Sequence, residues 1–286
     1  GRFCSTSLAA AIKSKGAFSD GKNPPYGVSI NYYLKEEAKD SVHIQVLNMK
    51  GDTIDHMVVK GKQGINRSWW GLRHQEYHFP KLRTKPRGKD WVKLDKDGTR
   101  DMFIYDLDIG PGMAPTLVPP GEYTVVLKTN GKEWRQKVQV MKDPNTKSSL
   151  ADIDRQYAFG MEIYKAVNTC LGLIDEMERA RAELLHKAKN PKAAKTALPL
   201  EDKVYGLEGK LFDVHLTGAR QDIFRNPAGI LERLLAIAKE GQTASADFPP
   251  TDQQMEVFSL LKGRLEKVKS DFASLKNGAE WKRSGL

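Results

Sequence analysis

Cysteine is nearly absent: the 286 residues hold two, Cys4 and Cys170. That excludes a disulfide framework, and no CxxC or Cys/His spacing of a structural zinc module occurs. One available pair says nothing firm about redox compartment. No window approaches the roughly 18 apolar residues of a membrane span. The first residues make no signal peptide, because Ser5–Ile12 is short and lacks a strong apolar core. Gly1 in place of Met points to a processed or truncated chain. No GxSxG, Walker, Rossmann or kinase pattern is present, and no Ser/His/Asp arrangement is suggested locally. No catalytic residue is assigned, and no cofactor is expected.

What is present is charge, and it is uneven. The formal net charge is +10, with 24 Lys+Arg against 15 Asp+Glu in residues 1–142 and 22 against 21 in residues 143–286. A basic half can meet nucleic acid, anionic lipid or an acidic partner. No nucleic-acid-binding signature accompanies the charge, so nucleic acid is not an expected partner. The hydrophobic fraction of 40% suffices for two modest cores, and the length suits two domains.

Residues 1–22 are small and polar and read as a tail or linker, and Asn23-Pro24-Pro25 forces an extended start. A period of two follows. Val28, Ile30 and Tyr32 alternate with Ser29, Asn31 and Tyr33, and Val42, Ile44 and Val46 with His43, Gln45 and Leu47. Met49–Asp52 turns the chain back into Thr53–Val59, and Ile65–Leu72 forms another strand. Residues 73–100, rich in charge, proline and glycine, read as a long insertion outside the core. Strands resume at Met102–Leu107, then at Glu122–Thr129 and Glu133–Met141 around Asn130-Gly131, a strong hairpin signal. About seven short strands without intervening helices predict an immunoglobulin- or fibronectin-like antiparallel sandwich over 23–143.

At Asp143-Pro144 the period becomes helical. Apolar residues from Leu150 to Met177 recur at spacings of three and four, and this helix is expected to end before Asn190-Pro191. Further helices are expected over Leu200–Leu216 and Pro227–Lys239, and a fourth after Thr251. Their apolar faces must be covered, which predicts an α-helical bundle over 144–286. The fold class is thus α+β in two domains.

Several residue patterns carry a chemical reading. His74, Glu76 and His78 alternate, and on a strand they would share a face able to hold zinc. Asp106 and Asp108, and more loosely Asp52 and Asp55, are spaced carboxylates, although a pair two apart does not specify a glycosidase cleft. Lys81, Arg83, Lys85, Arg87 and Lys89 alternate strictly, and if extended they would form a polyanion-binding ladder. Trp91 nearby offers a stacking surface. Trp69 and Trp70 face opposite sides of their strand, one toward the core and one outward; Trp70 is paired with Trp91 as a candidate sugar platform. Asn66-Arg67-Ser68 matches the N-glycosylation acceptor pattern.

Gly21-Lys22-Asn23-Pro24-Pro25-Tyr26-Gly27 with the Tyr32-Tyr33-Leu34 strand resembles the start of the C-terminal region of bacterial sortilin-like, BNR-repeat β-propeller proteins, which are labelled glycosyl-hydrolase-like. Gly64–Arg73 is similar to their G-L-N-R-x-x-W-D-L-R strand, with Gly71 in place of the usual Asp. Pro119–Val125 and Gly131-Lys132 resemble their closing strands, and Ala246-Asp247, Pro250-Thr251 and Gln254 fit the helical tail. The likeness covers residues 21–280, with 74–100 longer than in the family. It implies a secreted or periplasmic accessory region whose partner is an upstream β-propeller of the same protein or another protein. Glycan binding is the alternative. The propeller, where sugar chemistry would be expected, is not in this chain.

Overall fold

The computed structural model describes residues 25–104, 115–239 and 247–285. It contains six strands in two antiparallel sheets, and five α-helices. The strands are β1 (Val28–Leu34), β2 (Val42–Leu47), β3 (Thr53–Val59), β4 (Gly64–Trp70), β5 (Gly121–Thr129) and β6 (Lys132–Val140). The helices are α1 (Leu150–Lys187), α2 (Pro191–Leu211), α3 (Ile230–Ala238), α4 (Asp252–Asn277) and α5 (Ala279–Ser284), with a 3-10 turn at Arg220–Phe224. None is long and apolar enough to cross a membrane, among the described residues.

Contacts divide the chain into two compact units. The first comprises the described residues of 25–76, 115–160 and 247–249. The second comprises 77–104, 161–239 and 250–285. The division therefore does not fall at Asp143-Pro144. Residues 77–104 group with the helices, and the start of α1, up to Gly160, groups with the sheets.

In the first unit β1 pairs with β4, and a four-stranded sheet runs β3-β2-β5-β6. The period of two is realised directly. Val42, Ile44 and Val46 are buried with Trp70, Tyr123, Val125 and Leu127, and Val28, Ile30 and Tyr32 pack against them. Two sheets lining one apolar core are consistent with a sandwich. Asn130 (φ 48°) and Gly131 (φ 71°) take the left-handed conformation that a two-residue hairpin turn needs. The strand expected at Met102–Leu107 is absent over 102–104, and 105–107 lie outside the described residues.

In the second unit α2 packs on α3, α4 and α5. Thr251 caps α4, its hydroxyl accepting from the Gln254 amide at 3.2 Å, and Phe258, Leu261, Leu265, Val268 and Phe272 form the buried stripe. The start of α2 differs from expectation. Asn190-Pro191 does end α1, but it also begins α2: the Asn190 side chain accepts from the Lys192 amide at 2.9 Å, and Pro191 occupies the first turn, where no N–H is needed. At its other end α2 stops at Leu211, because Phe212 is extended.

Residues 77–104 form no regular element beyond a single bridge between Leu82 and Arg100. Part of the segment nevertheless packs into the core of the unit. Leu82, Thr84, Val92, Arg100 and Met102 are all buried. From Lys81 to Arg87 the chain alternates, with Leu82, Thr84 and Pro86 inward and the cations between them on the other side. The segment has the pleat of a strand without a ladder, and side-chain bonds replace the missing backbone bonds.

Candidate functional site: the buried polar network of the helical unit

The strongest concentration of polar groups lies inside the second unit. Glu178 and Arg181 on α1, Glu201 and Glu208 on α2, and Thr84 and Arg100 from the 77–104 segment are all buried. Helical spacing places them there. Arg181 follows Met177 by four, and Glu208 follows Val204 by four, so each lies on its helix's apolar stripe.

Arg181 is the hub. Its Nη1 donates to Glu178 Oε1 at 3.0 Å, Glu208 Oε2 at 2.6 Å and Thr84 Oγ1 at 3.0 Å, and its Nε donates to Glu201 Oε1 at 2.8 Å. Glu178 in turn accepts from the amides of Arg83 and Thr84, the latter at 2.9 Å, and from the Thr84 hydroxyl at 2.6 Å. Arg100 closes the arrangement with Nε on the Thr84 carbonyl at 2.9 Å and Nη1 on the Leu216 carbonyl at 2.8 Å.

The electrostatics follow from burial. Burial pushes the Glu208 carboxyl up to about 8, with Glu178 adding repulsion and Arg181 opposing it. Its Oε1 has no hydrogen-bond partner. Glu208 therefore holds its proton more tightly than an ordinary carboxyl, and Arg181 and Arg100 share the interior with Glu178, Glu201 and Glu208. For Arg181, burial alone would lower the pKa, but Glu208 and Glu178 outweigh it and the net direction is up. A balanced, hydrogen-bonded cluster is how buried charge survives in a low dielectric. A shifted carboxyl of this kind marks many catalytic acids, but Glu208 is 0% exposed. The geometry is that of a clamp holding the 77–104 segment on α1 and α2.

Two of the alternating cations, Arg83 and Arg87, add to the clamp. Arg83 pairs with Asp175 at 2.8 Å. Arg87 pairs with Glu201, and with Asp202 at 2.7 Å, and lies over the Tyr205 ring at 3.9 Å. Lys81 pairs with Asp101, Lys85 donates to the Asp90 carbonyl at 2.9 Å, and Lys89 to the His215 carbonyl at 2.7 Å. All five heads are engaged within the unit, Arg83 and Arg87 on acidic residues of α1 and α2, and Lys81, Lys85 and Lys89 on Asp101 and on the Asp90 and His215 carbonyls.

Trp70 is 0% exposed and meets Tyr123 edge-on at 5.3 Å, its Nε1 donating to the Arg73 carbonyl at 3.0 Å. Of the adjacent pair it is Trp70 that faces inward, and it has no face to offer a sugar. Trp91 is 67% exposed. Residues 74–78 are not on a strand, so the alternation of His74, Glu76 and His78 does not give them a common face. His74 Nε2 lies 2.9 Å from the Tyr157 hydroxyl, and burial lowers its pKa. Among the described residues no group of three His, Cys, Asp or Glu is gathered as a metal would need. Asp52 accepts from Asn48 Nδ2 at 3.0 Å in the β2–β3 turn. Asp55 is partly buried, and its pKa is raised mainly by that burial. Asp106, Asp108 and Cys4 lie outside the described residues. Asn66, in β4, donates its side-chain amide at 2.7 Å to the carbonyl of Lys62, just before the strand.

Sequence reasoning missed Glu178, Arg181, Glu201 and Glu208. The available signal was a charged residue interrupting an otherwise apolar helical stripe. Comparison with known proteins returns no match: no family model fits the chain, and neither a curated protein nor a solved structure matches it.

Proposed function

We propose that the chain is a non-catalytic accessory region, an immunoglobulin- or fibronectin-like sandwich domain followed by a helical-bundle domain. It docks on a β-propeller of the same protein, or on another protein, in a secreted or periplasmic bacterial setting. The propeller and the setting rest on the family resemblance. The immunoglobulin-like reading is supported by Tyr123, whose hydroxyl donates to the Pro119 carbonyl at 2.7 Å. A strand tyrosine tied to backbone a few residues upstream is the tyrosine corner of such sandwiches.

The observation that carries the docking reading is the outer edge of β6. Lys132–Val140 pairs with β5 on one side, and among the described residues no strand lies on the other. Residues 132–137 are exposed on both faces. An open edge of this length accepts a further strand through main-chain hydrogen bonds. Its charges are held in surface pairs, Lys137 with Glu122 at 2.9 Å and Arg135 with Glu133 at 2.7 Å. They discourage indiscriminate pairing and favour a partner of complementary charge. Amide hydrogen exchange tests the reading. Residues 132–140 should exchange more slowly when the chain is joined to its propeller than when it is alone. Equal exchange in both would overturn it.

A further inference from the structure

We propose that a cleft in the helical unit, formed by the end of α2, the start of α3 and the middle of α4, binds a small organic phosphate. The cleft has a volume of about 320 Å³, within the range of roughly 300–1,000 Å³ typical of small-molecule sites. Four cations line it, Lys210, Arg233, Arg264 and Lys267, and no carboxylate does. Residues 143–286 carry 22 basic against 21 acidic side chains, so this is a local excess in a nearly neutral region.

These cations differ from those of the 81–89 ladder. Among the described residues Lys210 and Arg264 have no acidic partner, and Arg233 donates only its Nε, to the Ala228 carbonyl at 3.2 Å. Lys267 is loosely paired with Asp271 at 3.4 Å. Like charges around one concavity repel each other, and a dianion placed among them relieves that repulsion. Arg guanidinium groups suit phosphate because they donate two parallel N–H bonds.

The rest of the cleft is apolar. Pro227 and Ala228, both exposed, line it together with Ile230, Leu261 and Val268. A bare inorganic anion would leave that surface unused, whereas a ligand with a flat, weakly polar body would cover it. Packing at Gly229 keeps the cleft narrow. A Cβ there would lie 2.7 Å from the Leu211 carbonyl oxygen and the Phe212 nitrogen, so glycine lets α3 start against the end of α2. The Gly229 amide is taken by Glu232 Oε2 at 3.0 Å. Phosphate recognition therefore falls to the side chains rather than to the helix end.

Calorimetric titration of the full chain with adenosine monophosphate and, separately, inorganic pyrophosphate tests the proposal at low salt, about 50 mM, where screening is weak. Adenosine monophosphate should bind, and more tightly than pyrophosphate. Arg264→Glu and Arg233→Glu should each weaken it about tenfold or more, as reversal of a contacting charge does. Lys269→Glu reverses a charge on the same helix outside the cleft and should leave affinity unchanged. Both arginines are exposed, and an unchanged circular dichroism spectrum verifies that the variants fold. No binding of adenosine monophosphate, binding no tighter than that of pyrophosphate, or equal losses in Arg264→Glu and Lys269→Glu would each overturn the proposal.

Discussion

Replacing Arg181 by leucine is expected to destabilise the helical unit by about 3–5 kcal/mol, the usual consequence of removing one partner from a buried ion cluster. The side chain is 3% exposed and supplies donors to Glu178, Glu201, Glu208 and Thr84. Leucine fills most of the space but donates nothing. Glu178 keeps its bonds from the 83–84 backbone, whereas Glu201 retains only the partly exposed Arg87, and Glu208 loses its one hydrogen bond. Urea unfolding followed by helical circular dichroism measures the effect. A loss below about 1 kcal/mol, the level of a surface pair, would show that Arg181 is not the hub.

The second large effect is a pH dependence set by Glu208. Its ordinary pKa is 4.5 and its folded value is about 8. Below 4.5 both folded and unfolded chains hold the proton, and the stability linked to it is fully present. As pH rises past 4.5 the unfolded chain releases the proton while the folded chain retains it, so stability falls until about 8. The difference is on the order of 5 kcal/mol, since the two values lie about 3.5 pH units apart and each unit is about 1.4 kcal/mol. Asp55 and Glu232, both raised chiefly by burial, act in the same sense, and His74, lowered by burial, acts in the opposite one. Comparison with Glu208→Gln isolates the one group. The variant should lose most of the decline between mildly acidic and mildly alkaline pH; an identical slope in both proteins would contradict the assignment.

Much of the fold was legible because it is written in local periods. The alternation at Val42–Val46, the Asn130-Gly131 turn and the Thr251 cap each act within a few residues of themselves, and each forms as read. What was not legible depends on distant partners. Thr84 and Glu178, bonded through the Thr84 amide, are 94 residues apart, and nothing near Thr84 announces a buried carboxylate. The 81–89 alternation was visible through its cations, but the burial of the intervening Leu82, Thr84 and Pro86 depends on partners far along the chain. Trp70 and Trp69 could be seen to face oppositely, yet which faced inward depended on strand register. Asn190-Pro191 looked like a stop because the same residues that end one helix begin the next.

The central claim is that the inward residues of 77–104 are held in the core of the helical unit through side-chain bonds, without a sheet or helix of their own. Amide exchange at Arg83 and Thr84 tests it most directly, because both amides donate to the buried Glu178 carboxylate. These two should exchange as slowly as amides in the middle of α1. Exchange at the rate of an open, solvated loop would contradict the account.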